Sequence, residues 1–136
     1  MKKLLSLVLV LMLALSVAAA ASAEAPLKVA VVLSGATGDR SFYDSANEGL
    51  QHLVAAGKVE GTLIECKNDA SMFTTNLISA AEDNDVVIAV GWEFWDALAE
   101  YAPELPDTKF IFIDNGLDGV GDNLMSITYA QNEGSY

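Results

Sequence analysis

The chain has 136 residues and a formal net charge of −12, with 19 acidic residues against 7 basic ones and a single cysteine. An acidic excess of this size repels phosphate backbones and anionic lipid surfaces, which argues against nucleic acid or membrane-surface partners. One cysteine cannot form an intramolecular bridge, which excludes a disulfide scaffold.

The chain opens on an export pattern. Lys2 and Lys3 form a positive n-region, Leu4 to Val17 an apolar run broken only by Ser6 and Ser16, and Ala18 to Ala23 a small-residue tail. Ala21-Ser22-Ala23 fits the A-x-A cleavage pattern, so residues 1–23 read as a signal peptide with the mature chain starting at Glu24. The apolar run is short for a membrane span, and no polar or charged flank would stop cleavage, so a retained anchor is the weaker reading. A lipid anchor needs a lipobox cysteine at the cleavage site, and the sole cysteine is Cys66. A soluble periplasmic or secreted protein is expected. Cleavage would remove two lysines and no acids, leaving 5 basic and 19 acidic residues and a net charge of about −14.

Beyond the signal, apolar runs and helical patterns alternate. Lys28 to Leu33 reads as a buried strand, followed by the Gly-rich turn around Gly35 and Gly38. A helix is expected from about Ser41 to Ala56, with Phe42, Ala46, Leu50, Leu53 and Val54 on one face, Ser41 as N-cap and Gly57 as stop. Thr62 to Cys66 reads as the second strand, in which Cys66 is a small buried hydrophobe. Met72, Phe73, Leu77, Ile78 and Ala81 mark a second helix, ended by the polar run from Glu82 to Asp85. Val86 to Val90 is a continuous apolar strand, buried on both faces by its composition. Trp92, Trp95, Leu98, Ala99 and Ala102 mark a third helix, closed by Pro103 and Pro106. Lys109 to Asp114 is the fourth strand, and Asn123 to Tyr129 a short fifth.

This β-α-β-α-β-α-β-β order with buried strands predicts an α/β fold, a doubly wound parallel sheet with helices on both faces. Residues 24–136 carry no second domain and no internal repeat. The segment Gln131 to Tyr136 looks like a loop entering a further helix, because the fifth strand would otherwise lack its cover; a truncated chain is the expectation.

In open parallel sheets, the loops at the carboxyl ends of the strands line the ligand crevice. The first such loop holds Gly35 and Gly38, which allow close backbone approach, then Asp39, Ser41 and Phe42. A carboxylate beside an aromatic ring suits a ligand with hydroxyls or ring N–H groups and a flat face, and nucleosides and sugars both qualify. Asp39 as a mere helix cap and Phe42 as a mere core ring fit equally well. Gly91 and Trp92 follow the third strand; a tryptophan there could stack on a ring, although Trp92 and Trp95 read more readily as core. Asp114 ends the fourth strand, where it needs a ligand hydroxyl or a backbone N–H as partner. Asp69 reads as a helix cap, and His52 as a solvated mid-helix residue.

Enzyme signatures are missing: Gly35-Ala-Thr-Gly38 is not a dinucleotide fingerprint, and no P-loop, G-x-S-x-G or H-E-x-x-H pattern occurs. This many carboxylates leave metal ligation by oxygen open, but no EF-hand spacing appears. No catalytic residue, cofactor or metal is therefore expected. A receiver-type phosphorylation domain would need an Asp after the third strand, where Gly91 and Trp92 stand.

Four segments in order, Gly38-Asp-Arg-Ser-Phe-Tyr-Asp-Ser-Ala-Asn-Glu-Gly49, Val90-Gly-Trp-Glu-Phe-Trp-Asp-Ala-Leu98, Phe110-Ile-Phe-Ile-Asp114 and Asn132-Glu-Gly-Ser-Tyr136, resemble the basic membrane protein family. These are substrate-binding proteins of ABC transporters, many of them specific for purine nucleosides. The resemblance implies the N-terminal lobe of a type I periplasmic-binding-protein fold, two α/β lobes closing on a ligand, with the second lobe absent from this chain. It implies ligand contacts from Asp39 and Phe42 in the D-x-S-F turn and from Asp114. It further implies a nucleoside-like ligand, a membrane permease as partner and a monomer when full length. Tyr43 departs from the family, which commonly has Asn there; a phenol replaces an amide that can both donate and accept, so purine selectivity is the exposed point. The missing lipobox cysteine is a second departure, since many members are lipoproteins. A secreted sensory module signalling to a membrane receptor is the alternative function. An extracellular nucleoside hydrolase is a third, and it would require a metal-holding carboxylate cluster.

Overall fold

Period-two burial along the apolar runs dictates a sheet covered on two sides, and the computed structural model of the chain has that form over residues 25–130, the residues it describes. The expected signal peptide, its cleavage point and the closing segment from Gln131 lie outside the described residues. Five strands, β1 (Leu27–Leu33), β2 (Val59–Glu65), β3 (Val86–Val90), β4 (Lys109–Ile113) and β5 (Leu124–Ile127), form one sheet in the order β2-β1-β3-β4-β5. Every neighbouring pair is parallel. Helices α1 (Phe42–Ala55), α2 (Ala70–Asp83) and α3 (Trp95–Tyr101) supply the crossovers up to β4.

Side chains alternate cleanly between two cores. Ala30 and Val32 of β1, Val87 and Ala89 of β3, and Phe110 and Phe112 of β4 face α2, α3 and the turn before α3, where Leu77, Ala80, Phe94, Ala97 and Leu98 meet them. Val29, Val31 and Leu33, with Val90 of β3, face α1 and its buried Leu50. Burying each phenylalanine of the first core contributes about 3–5 kcal/mol relative to alanine. Contact of α1 with the sheet is close at Gly61, where a Cβ would meet Val54 Cγ2 at 2.5 Å.

Several elements differ from the sequence expectation for identifiable reasons. Strand β2 begins at Val59, three residues early, because an edge strand bonded only to β1 tolerates the polar Glu60 and the Gly61 gap. It ends at Glu65, so Cys66 is buried just past the strand. The third helix is not continuous. A 3₁₀ turn (Trp92–Phe94) precedes α3, and a second one (Ala102–Glu104) follows it with Pro103 near its start. Burial of β3 on both faces is incomplete, since Ile88 is only half-buried on the face covered by α1 alone. Leu53 and Val54, expected on the inner face of α1, remain 40% and 39% exposed. His52 is exposed in the last turn of α1, as a solvated residue should be.

Candidate functional site

Parallel register decides which residues meet at the carboxyl edge of the sheet. Leu33 pairs with Glu65 and Val90, Val90 with Ile113, and Ile113 with Ile127. The next residues therefore stand side by side: Cys66, Ser34, Gly91, Asp114 and Thr128. The chain leaves β1 toward β2 on one side, while β3 lies on the other. The crevice between Ser34 and Gly91 is thus the topological switch point, where doubly wound sheets bind ligands.

The β1–α1 loop over this crevice is fastened by three carboxylates. Asp39 Oδ1 accepts the backbone N–H groups of Ser41 (3.0 Å) and Asp44 (3.1 Å), and Asp39 Oδ2 accepts that of Tyr43 (3.0 Å). Asp44 reaches back from the first turn of α1 to accept the N–H groups of Gly38 (2.6 Å) and Arg40 (2.8 Å). Glu65 Oε1 accepts both the N–H (2.8 Å) and the hydroxyl (2.6 Å) of Thr37. These bonds to the charged form hold Asp39 below the ordinary Asp value, with the Tyr43 N–H as the largest cause, and Glu65 below that of Glu through Thr37. Ser41, expected to be the N-cap, holds that position but makes no side-chain cap bond; Asp39 supplies the cap instead. Asp69 is the side-chain cap of α2, accepting from Ser71 N (3.0 Å).

Tyr43 turns inward rather than toward solvent. Its hydroxyl lies 3.0 Å from Ser34 Oγ, and its ring lies over Gly35, where a Cβ would sit 2.7 Å from Tyr43 Cζ. Phe42 is half-buried and tilts against Tyr43 with ring centroids 5.4 Å apart. Together with Val90, Ile113 and Tyr129 it lines an apolar groove of about 340 Å³ on the α1 face. A larger hollow, about 1160 Å³, opens at the opposite, amino-terminal end of the strands among Lys28, Asp83, Asp85 and Asp107. It lies away from the switch point and carries none of the glycine turns or aromatic rings found there.

Gly91 has φ +121° and ψ 140°, a conformation that all but requires glycine. The turn it makes puts Trp92 65% exposed at the rim. This corrects the reading of Trp92 as core; a residue directly after a glycine in an extended, positive-φ conformation leaves the helical face that its spacing suggests. Trp95 is 39% exposed and packs edge-on against Phe112, so it is partly a core residue. Asp114 is half-buried at φ +72°, with its N–H bonded to Ile127 O (2.9 Å). Asp39, Phe42, Tyr43, Gly91, Trp92 and Asp114 thus all lie at one end of the sheet. Sequence reasoning did not single out Ser34, Asp44, Glu65 and Glu93. Of these, only Glu93, a charge inside the apolar run Trp92-Glu-Phe-Trp95, stands out in the sequence.

A match to the Bmp family, described as ABC transporter substrate-binding protein PnrA-like, spans residues 27–136. The chain belongs to the Bmp family. Among its relatives, the CD4+ T-cell-stimulating antigen of Listeria monocytogenes is 35% identical over 109 residues, covering 76% of this chain and 30% of that protein. Basic membrane protein A of Borreliella burgdorferi is 28% identical over 111 residues, covering 80% of this chain and 32% of its own length. This chain spans about a third of the length of these curated relatives. A solute-binding protein of an ABC transporter system from Aeropyrum pernix K1 superposes with a TM-score of 0.67 at 26% identity, over 74% of this chain and 28% of that one. A fragment of a putative lipoprotein from Peptoclostridium difficile 630 superposes with a TM-score of 0.66 at 27% identity, over 79% of this chain and 88% of the fragment. The fold is therefore that of periplasmic binding proteins, and the family is one of substrate-binding proteins of ABC transporters. Among the described residues, no helix is long and apolar enough to cross a membrane.

Proposed function

We propose that this chain forms the N-terminal lobe of a two-lobed extracytoplasmic receptor that captures a nucleoside and delivers it to an ABC permease. Export by the signal peptide, with cleavage near Ala23-Glu24, belongs to this reading, as do a monomeric full-length protein and the second lobe. The observation that carries it is the switch-point crevice. There, the exposed Trp92 and the half-buried Phe42 stand beside Gly91, Asp114 and the fastened Asp39 loop.

A flat base with a polar sugar suits that combination, since aromatic rings supply stacking area and carboxylates accept hydroxyl and N–H donors. Asp39 already accepts three backbone N–H groups. Its negative charge is fixed by those same bonds. Tyr43 shapes the floor of the crevice through its ring and the Ser34 bond, leaving the hydrogen-bonded readout to its neighbours. Closure of the second lobe then sequesters the ligand by hinge motion.

A thermal-shift screen of the full-length protein against nucleosides, free bases and sugars tests the ligand class. Ligands that bind only the native state raise the melting temperature according to concentration over Kd. Stabilisation by at least one nucleoside is expected. A response confined to sugars, or none to any nucleoside, refutes the ligand class.

A further inference from the structure

Glu93 carries the one buried side-chain oxygen or nitrogen without a hydrogen-bond partner among the described residues: its Oε2. A buried carboxylate oxygen without a donor is costly, and in a folded protein it calls for a partner from outside the chain, a water, an ion or a ligand. Its location is the switch point itself. A Cβ placed on Gly91 would lie 2.6 Å from Glu93 Oε2 and would overlap Ser34 Oγ, so both side chains converge on the space that the glycine leaves open. The Ser34 hydroxyl is already engaged with Tyr43 Oη at 3.0 Å. Glu93 Oε2 is thus an acceptor held at the ligand crevice with its donor missing.

We infer that Glu93 is a ligand-contacting specificity residue, its Oε2 accepting an N–H or O–H of the bound solute between the ends of β1 and β3. This rests on the nucleoside reading above and sharpens it. An anionic acceptor takes an uncharged or cationic ligand that donates a hydrogen bond, and it repels carboxylate and phosphate groups at the same point. Gly91 is the companion of this role, because any side chain there would displace the carboxylate.

The test compares the full-length protein with its Glu93→Ala and Glu93→Gln variants. Titration calorimetry with inosine, guanosine, adenosine, cytidine, uridine and thymidine gives affinities, and the melting temperature is followed without ligand. Losing a charged hydrogen bond is expected to weaken the best nucleoside about 10- to 100-fold in Glu93→Ala. Glu93→Gln keeps the shape and one acceptor, and should fall between. Without ligand, Glu93→Ala should not melt below the parent, since it removes an unsatisfied acceptor. A merely structural glutamate would give the opposite pair: lower melting temperature, unchanged affinity. Affinity within twofold of the parent overturns the inference and leaves the nucleoside reading standing. Should Glu93→Ala fail to fold, the same twofold criterion applies to Glu93→Gln. A parent that binds none of the six nucleosides overturns the ligand class, and this inference with it.

Discussion

Gly91 and Gly38 provide a controlled pair for the packing at the switch point. Both have positive φ, +121° and +101°, so alanine at either position meets backbone strain. At Gly38 an added Cβ finds nothing within 4 Å, whereas at Gly91 it overlaps Ser34 Oγ and crowds Glu93. Ser34 is fully buried and bonded to Tyr43, so it cannot swing away cheaply. Strain alone should make Gly38→Ala cost about 1–3 kcal/mol. Gly91→Ala carries the same strain plus an overpacking cost of about 1–3 kcal/mol, roughly 2–6 kcal/mol in all. Typical domains have only about 5–15 kcal/mol to lose. Urea unfolding of the purified protein reads this directly, as a fall in the midpoint at unchanged slope. Adding Ser34→Ala to Gly91→Ala should recover part of the loss, because the worst overlap is with the serine hydroxyl, and the two sites are in contact. Equal midpoints for Gly38→Ala and Gly91→Ala would refute the packing of Ser34, Gly91 and Glu93 described above.

Two further outcomes are expected. Cys66 is fully buried, with Asn76 Nδ2 3.4 Å from its sulfur, and burial pushes its thiol pKa up; a thiol reagent such as Ellman's should find almost no reactive thiol in the native protein at pH 8 and the full complement in urea, and rapid native labelling would contradict that burial. Asp39, Glu65 and Asp69 are depressed below ordinary values of 3.8, 4.5 and 3.8, so each stabilises the fold fully above those values and loses its contribution as pH falls through the lower folded value. The melting temperature should therefore hold from pH 7 to about pH 5 and decline below about pH 4, with a smaller decline in Glu65→Gln; a flat profile down to pH 3 would contradict the loop tethers.

What the sequence made legible, and what it hid, follows from the range of each interaction. Strands β1, β3 and β4 were legible because a central parallel strand is apolar throughout, and Val86–Val90 matches its run residue for residue. Strand β2 was harder at its start: Val59-Glu-Gly61 belongs to an edge, where exposure permits polar residues. The break in the third helix follows from the backbone of Gly91, which periodicity does not encode. Of the candidate site, Asp39, Gly91 and Asp114 were legible as loop residues after strands, and Phe42 as the start of the helix that follows. Their neighbours across the sheet were not. Glu65 meets Thr37 28 residues away, and Ser34 meets Gly91 only through the β1–β3 register. Pairings of that range appear once the strand order is known.

An acidic chain poses the problem of which carboxylates bind ligand and which hold the fold, and net charge cannot answer it. Counting donors does. Asp39, Asp44, Glu65 and Asp69 each accept at least one backbone N–H from a neighbouring turn, and Asp85 accepts that of Lys28 at 2.8 Å. Those carboxylates are structural first, since removing any one strands backbone donors that the turn cannot satisfy otherwise. Glu93 differs from these: its buried oxygen has no hydrogen-bond partner among the described residues and lies where β1 and β3 part. Asp39 combines both situations, since it caps α1 and also keeps its charge in the loop over the crevice. The two carboxylates should therefore separate under substitution. Changing Asp39 should lower stability and affinity together, whereas changing Glu93 should lower affinity alone. That contrast assigns roles from acceptor counting, and a parallel response of the two residues would show the counting to be the wrong guide here.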